Sequence, residues 1–258
     1  MQLNYELKGP EGAPPLLLLH ELGGSCASWQ WLDLEIKDNF RRIIVDLPGA
    51  GKSQLLGPEM SLDQVADSLA GLLDKLGIEQ VKLAGVAYGA IVASYLAGNY
   101  PERISAVMLI SIGPSISDTV ADYVRKRADQ VESKGMGLVV DYSLKSSFPD
   151  GFSEQHPDIF RTYREIFMAN DHRHYAVISR AIAAAGTTLT DRIRSIRSTA
   201  AVVGGQQDPT FTPEVVGEVG RLLSPPVTPE VISSAGHFPQ IQSPRQLAKL
   251  MLRFFLEQ

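Results

Sequence analysis

The chain has 258 residues, with 24 Lys and Arg against 29 Asp and Glu, a net charge of −5, five His and one Cys. With 44% hydrophobic and 21% charged residues, disorder is excluded, and the mild acidity argues against a nucleic-acid partner or an anionic membrane surface. A single cysteine, Cys26, rules out an intramolecular disulfide and a cysteine-built zinc site.

In chain order, Leu3-Asn4-Tyr5-Glu6-Leu7 alternates apolar and polar, as a half-buried strand does. The first apolar run covers only residues 16–19, too short for a signal segment or a membrane span. A cytoplasmic location is therefore expected, and the run reads as a strand covered on both faces. Arg42-Ile43-Ile44-Val45-Asp46 is the next buried strand, ending in Leu47-Pro48-Gly49-Ala50-Gly51. Residues 61–76 form an amphipathic helix: Ser61 can cap it, Leu62, Val65, Leu69, Leu72, Leu73 and Leu76 keep helical spacing, and Gly77 ends it. Val81-Lys82-Leu83-Ala84 is a strand that runs into Gly85-Val86-Ala87-Tyr88-Gly89, and a helix follows to about Asn99. Residues 104–110 give another strand. From 115 to 191 the strand signal disappears into a helical, arginine-bearing stretch. Strands return at 200–204 and 227–233, with helices near 214–223 and 243–255. Alternating strand and helix imply an α/β fold with a mostly parallel sheet. The core is assigned to 1–114 and 192–258, and an inserted helical cap to 115–191.

Gly49-Ala50-Gly51-Lys52-Ser53 invites a phosphate-loop reading. The first glycine of that motif falls on Asp46, and Gln54 stands where a dinucleotide fingerprint needs its third glycine, so the turn reads as structural. His156, His172 and His174 have no third ligand nearby, and neither a metal nor a cofactor is expected. Cys26 reads as a small buried hydrophobe. Gly85-Val86-Ala87-Tyr88-Gly89 lies between a strand and a helix, the setting of a nucleophile elbow, where small flanking residues permit a sharp turn. Asp208 follows one later strand and His237 the last, so the order is elbow, acid, histidine.

With these segments the chain resembles the α/β-hydrolases over essentially its whole length. The resemblance includes Leu19-His20-Glu21-Leu22-Gly23-Gly24, similar to the family's oxyanion loop, residues 46–53, similar to its Asp-x-x-Gly-x-Gly-x-Ser turn, and Tyr100-Pro101-Glu102-Arg103. The single N-terminal strand and the size of the cap resemble the 3-oxoadipate enol-lactonase branch. The resemblance implies that Asp208 is the orienting acid, His237 the general base, and the amides of Leu22 and Tyr88 the oxyanion donors. It gives His20 a place supporting the oxyanion loop. His20, Trp29 and Phe238 are taken as substrate-binding, and Leu22, Trp29, Tyr88 and Phe238 as an apolar wall for a small organic substrate. The cap would roof this site, and its arginines offer a hold on a substrate carboxylate.

Two positions depart from the family pattern. Glu21 stands where the family commonly has Gly, and Ala87 stands where it has the nucleophilic Ser. Alanine has no oxygen to attack with, which closes the acyl-enzyme route. Three readings follow: an engineered, inactive form of a hydrolase acting on a small ester or enol-lactone; a natural enzyme using His237 and Asp208 as a base, as in lyases, decarboxylases or cofactor-free oxygenases; or a small-molecule receptor. The expected partner is a small-molecule substrate, with no nucleic acid and no membrane; the oligomeric state is not read from sequence.

Overall fold

The computed structural model describes residues 2–257. Seven strands form one sheet: β1 (Tyr5–Lys8), β2 (Pro15–Leu19), β3 (Arg41–Val45), β4 (Val81–Val86), β5 (Ile104–Ile110), β6 (Thr199–Gly205) and β7 (Glu230–Ile232), in the order β1-β3-β2-β4-β5-β6-β7. Only β1, at one edge, is antiparallel, pairing Tyr5 with Val45 and Lys8 with Arg42; all other pairings are parallel. The alternation seen in residues 3–7 belongs to this edge strand, most of which faces solvent.

The continuous apolar runs become central strands because both faces of the sheet are covered. Leu17, Leu19, Ile43 and Val45 point into one core layer, beneath α2 (Leu62–Lys75) and α3 (Tyr88–Asn99). Leu16, Leu18 and Ile44 point into the other, beneath α1 (Gln30–Ile36) and, at the end of the chain, α12 (Pro244–Leu256). The α2 start uses a full capping box: Ser61 Oγ accepts from the Gln64 amide, and Gln64 Oε1 accepts from the Ser61 amide.

Between β5 and β6 the described residues hold only helices: α4 (Asp118–Lys134), α5 (Val140–Ser147), α6 (Phe152–Gln155), α7 (Pro157–Met168), α8 (His172–Ala185) and α9 (Thr188–Arg194). Of these, α4 packs mainly on α8, whereas α9 packs on α3 of the sheet layer. The last stretch of the chain adds α10 (Pro213–Leu222) and α11 (Pro239–Gln242) before α12. The chain leaves β2 for β3 on one side and meets β4 on the other. The carboxyl ends of β2 and β4 therefore border a topological switch point, where ligands bind in open α/β sheets.

Candidate active site

Ala87 joins β4 to α3 with φ 50° and ψ −111°, a conformation that a residue with a Cβ enters only under constraint. The constraint is close packing. A Cβ on Gly85 would lie 2.2 Å from the Gly89 carbonyl oxygen, and one on Gly89 would lie 2.1 Å from that of Leu19. The elbow geometry is thus complete with alanine at its apex. The Ala87 amide donates to the Ile110 carbonyl at 2.9 Å, and its own carbonyl accepts from Ala90 and Ile91.

Beyond β6, the Asp208 carboxylate is buried and fully engaged. Its Oδ1 accepts from the amides of Thr210 and Phe211 at 2.9 and 3.0 Å, and its Oδ2 from His237 Nδ1 at 2.8 Å. Burial pushes this carboxyl upward, but the adjacent His237 and the two amides outweigh it and hold it below the usual carboxylate range. An ionised carboxylate only accepts, so the imidazole proton sits on Nδ1 and Nε2 is left as a base. The ring is held between Phe211 and Phe238, with centroids 5.3 and 4.9 Å away, and its side chain is 13% exposed. The His237 amide donates to the Ser147 carbonyl at the end of α5, tying the histidine loop to the inserted helices.

The loop after β2 is fixed from several sides. His20 donates from Nδ1 to the Glu21 carbonyl at 2.7 Å and accepts at Nε2 from the Leu47 amide at 3.0 Å. Both ring nitrogens are therefore used within the protein. Glu21 is fully buried. Its Oε1 accepts from Ser28 Oγ at 2.7 Å and from the Tyr163 hydroxyl at 2.9 Å, and its Oε2 accepts from Gln240 Nε2 at 3.0 Å. One side chain thus joins the loop, helix α7 and helix α11. The amides of Leu22 and Tyr88 donate to no other group among the described residues. Tyr88 opens α3, so its amide is among those a helix N-terminus leaves free.

These loops and the inserted helices enclose a cavity of about 190 Å³. Ala87, His237, Leu22, Glu21 and Phe238 line it from the core, and Arg127, Ser143, Phe167 and Tyr175 from the insertion. The space suits a small molecule, since drug-sized sites run to roughly 300–1,000 Å³. Two of the expected substrate-binding residues lie elsewhere. Trp29 is fully buried in the core layer with Leu16, Leu18 and Leu32, where its bulk fills the space beneath α1. His20 is fully buried and spent on loop hydrogen bonds, in line with its supporting place and not with substrate contact. Phe238 does line the cavity.

The Asp46–Ser53 turn is a structural hub. Asp46 accepts from the amides of Cys26 and Lys52 and from Asn4 Nδ2, and no helix begins until Leu62. Cys26 donates its thiol to the Ile44 carbonyl, and burial pushes that thiol up, away from a reactive thiolate. Among the described residues no group of three or more His, Cys, Asp and Glu is placed to hold a metal ion. Sequence reasoning flagged Glu21 by its departure from Gly. It offered the arginines of the inserted stretch as a group without singling out Arg127, and it gave no signal for Ser143, Phe167 or Tyr175; the inward direction of all four depends on how α4, α5, α7 and α8 pack.

A mostly parallel sheet, a constrained strand-to-helix elbow, and an acid–histidine pair after later strands define the α/β-hydrolase architecture. The profile of the alpha/beta hydrolase fold family matches residues 14–244, and the chain belongs to that family. The chain is 27% identical over 210 residues to 3-oxoadipate enol-lactonase 2 of Acinetobacter baylyi, covering 81% of this chain and 77% of that one. Among solved structures it is similar to a thermophilic esterase from Thermogutta terrifontis, solved with malate bound (25% identity, TM-score 0.92, 99% of this chain and 93% of that one). It is also similar to the enol-lactonase from Burkholderia xenovorans LB400 (25% identity, TM-score 0.88, 98% and 95%).

Proposed function

We propose that the cavity over Ala87 is built to hold a small ester or lactone. His237 Nε2 acts as the base, Asp208 orients it, and the amides of Leu22 and Tyr88 receive the carbonyl oxygen as negative charge develops there. The helices within 115–191 act as the cap that excludes water from the reacting group. The observation that carries this reading is Ala87, in elbow geometry, lining one cavity with a His237 already bonded to Asp208 at 2.8 Å. The enol-lactonase and esterase names of the similar proteins support the same substrate class.

With alanine at the apex, the chain is an α/β-hydrolase lacking its nucleophile: it binds such substrates without forming an acyl-enzyme. Loss of the nucleophile costs a serine hydrolase about 10⁶ in turnover, roughly 8 kcal/mol of barrier. Ala87→Ser supplies the missing oxygen next to a base that is already oriented. Turnover of activated esters and enol lactones should rise by about 10⁴-fold or more, and His237→Ala should abolish the gain. A second reading is favoured by the completeness of the His237–Asp208 pair without any serine: His237 then activates water or takes a proton from substrate. A folded Ala87→Ser variant showing no gain, together with native activity that is lost in His237→Ala, selects this second reading and removes the first.

A further inference from the structure

His237 stands on a stretch with no regular structure of its own. Strand β7 ends at Ile232, and α11 begins at Pro239. Backbone amides outside helices and sheets still need partners, and here one side chain supplies most of them. Gln242, at the end of α11, accepts at Oε1 from the Gly236 amide at 2.7 Å and from the Phe238 amide at 3.3 Å. Its Nε2 donates to the Ser147 carbonyl at 2.8 Å, and the His237 amide donates to that same carbonyl at 3.0 Å. The amides on either side of the histidine and the histidine's own amide are thus all taken by Gln242 or by the end of α5. The orientation of the Gln242 amide follows from its chemistry: only its oxygen can accept from two N–H groups, and only its nitrogen can donate to a carbonyl. Gly236 permits the close approach, since a Cβ there would lie 3.1 Å from the Ser147 carbonyl oxygen and 3.2 Å from Pro149 Cδ.

His237 lines the cavity and Gln242 does not. The Asp208 bond fixes how the imidazole is turned and leaves the place of the loop to other contacts. A group that moves protons has to be held within about 0.5 Å of its working place, and a loop reaches that precision only through its supports. We propose that Gln242 is a positioning residue for His237: its amide fastens the histidine loop to the end of α5 and so sets the imidazole against Asp208 and the cavity. The inserted helices are then part of the support of the base, besides closing over the site. The same short helix carries Gln240, which donates to Glu21, so α11 braces both the histidine loop and the loop after β2. The proposal rests on His237 being the base, which both readings of the reaction share.

The test needs no substrate. Proton NMR of the unaltered chain should show a slowly exchanging Nδ1–H for His237, identified by its loss in His237→Ala, and another for His20. His20 is the internal reference, because it bonds to the Glu21 carbonyl and the Leu47 amide and not to Gln242. Gln242→Met keeps the length of the side chain and removes its hydrogen bonds. It should speed exchange of the His237 proton at least about tenfold and leave that of His20 unchanged. Gln242→Glu keeps an accepting oxygen and loses the donor to Ser147, so its rate should fall between the two; it decides should Gln242→Met not fold. An unaltered chain without a His237 signal, an unchanged His237 rate in the variants, or equal acceleration at His20 overturns the proposal. In an Ala87→Ser background that turns over esters, Gln242→Met should lower kcat at least about tenfold and leave KM within about twofold, since Gln242 does not reach the cavity. A change confined to KM overturns the proposal as well. Absence of turnover in Ala87→Ser bears on the reading of the reaction alone, and the exchange rates still decide the role of Gln242.

Discussion

At position 87 the backbone stays in a strained conformation although the side chain has no oxygen to present, because Gly85 and Gly89 leave it no other path. Glu21 shows the same dependence on neighbours from the polar side. Its carboxylate serves Ser28, Tyr163 and Gln240, and each of those donors is buried with it. Leaving a buried donor unsatisfied costs about 1–3 kcal/mol. Glu21→Ala should therefore lower stability by about 3 kcal/mol or more, read as a drop in the urea midpoint. Glu21→Gln should cost less, because it keeps the volume and one acceptor oxygen. A midpoint for Glu21→Ala close to that of the unaltered chain removes the carboxylate as the link between loop and inserted helices.

The elbow binds two elements into one piece. Helix α3 starts so close to the end of β2 that a methyl group on Gly89 would overlap the Leu19 carbonyl oxygen. That oxygen is backbone and cannot swing aside. Gly89→Ala should destabilise the protein by about 3 kcal/mol. It should also shift the loop from His20 to Gly24, which leaves β2 at that point, and ligand binding in the cavity should weaken with it. Thermal unfolding together with titration of a small neutral ester checks both. A variant with unchanged stability and unchanged binding means the elbow has room that the packing denies. Helix α2 stands on local terms instead, with Ser61 and Gln64 closing its first turn.

Across the whole molecule, two buried carboxylates contribute to the response to acid. Burial pushes Asp46 upward, but the amides of Lys52 and Cys26 and the nearby His20 hold it below the usual range; Asp208 behaves likewise through His237 and the amides of Phe211 and Thr210. A carboxyl whose pKa is lower folded than unfolded binds protons more readily in the unfolded chain. Its stabilisation is therefore fully present above the unfolded value of about 4 and is lost as pH falls through the folded value. The urea midpoint should hold steady near neutral pH and fall once pH drops below about 4. Asp208→Asn should flatten part of that fall. An acid limb of unchanged steepness in Asp208→Asn assigns the loss to other groups.

The sequence by itself determined the sheet and the order of the site. Runs such as residues 16–19 and 104–110 are too apolar for a solvent-facing strand, Ser61 and Gln64 mark a helix start, and the order of the elbow, Asp208 and His237 is a property of the chain alone. These signals are local: each depends on residues within a turn or a strand of one another. Tertiary structure decided which polar groups meet. Glu21 finds Tyr163 at a separation of 142 residues and Gln240 at 219, and no spacing rule reaches that far. The same limit explains Trp29 and His20, whose places in or near the loop after β2 in sequence say nothing of whether they face the cavity or the core. It also explains Arg127, one arginine among several on amphipathic helices. Only the packing of α4 against α8 turns it inward, away from the carboxylates that neutralise its neighbours.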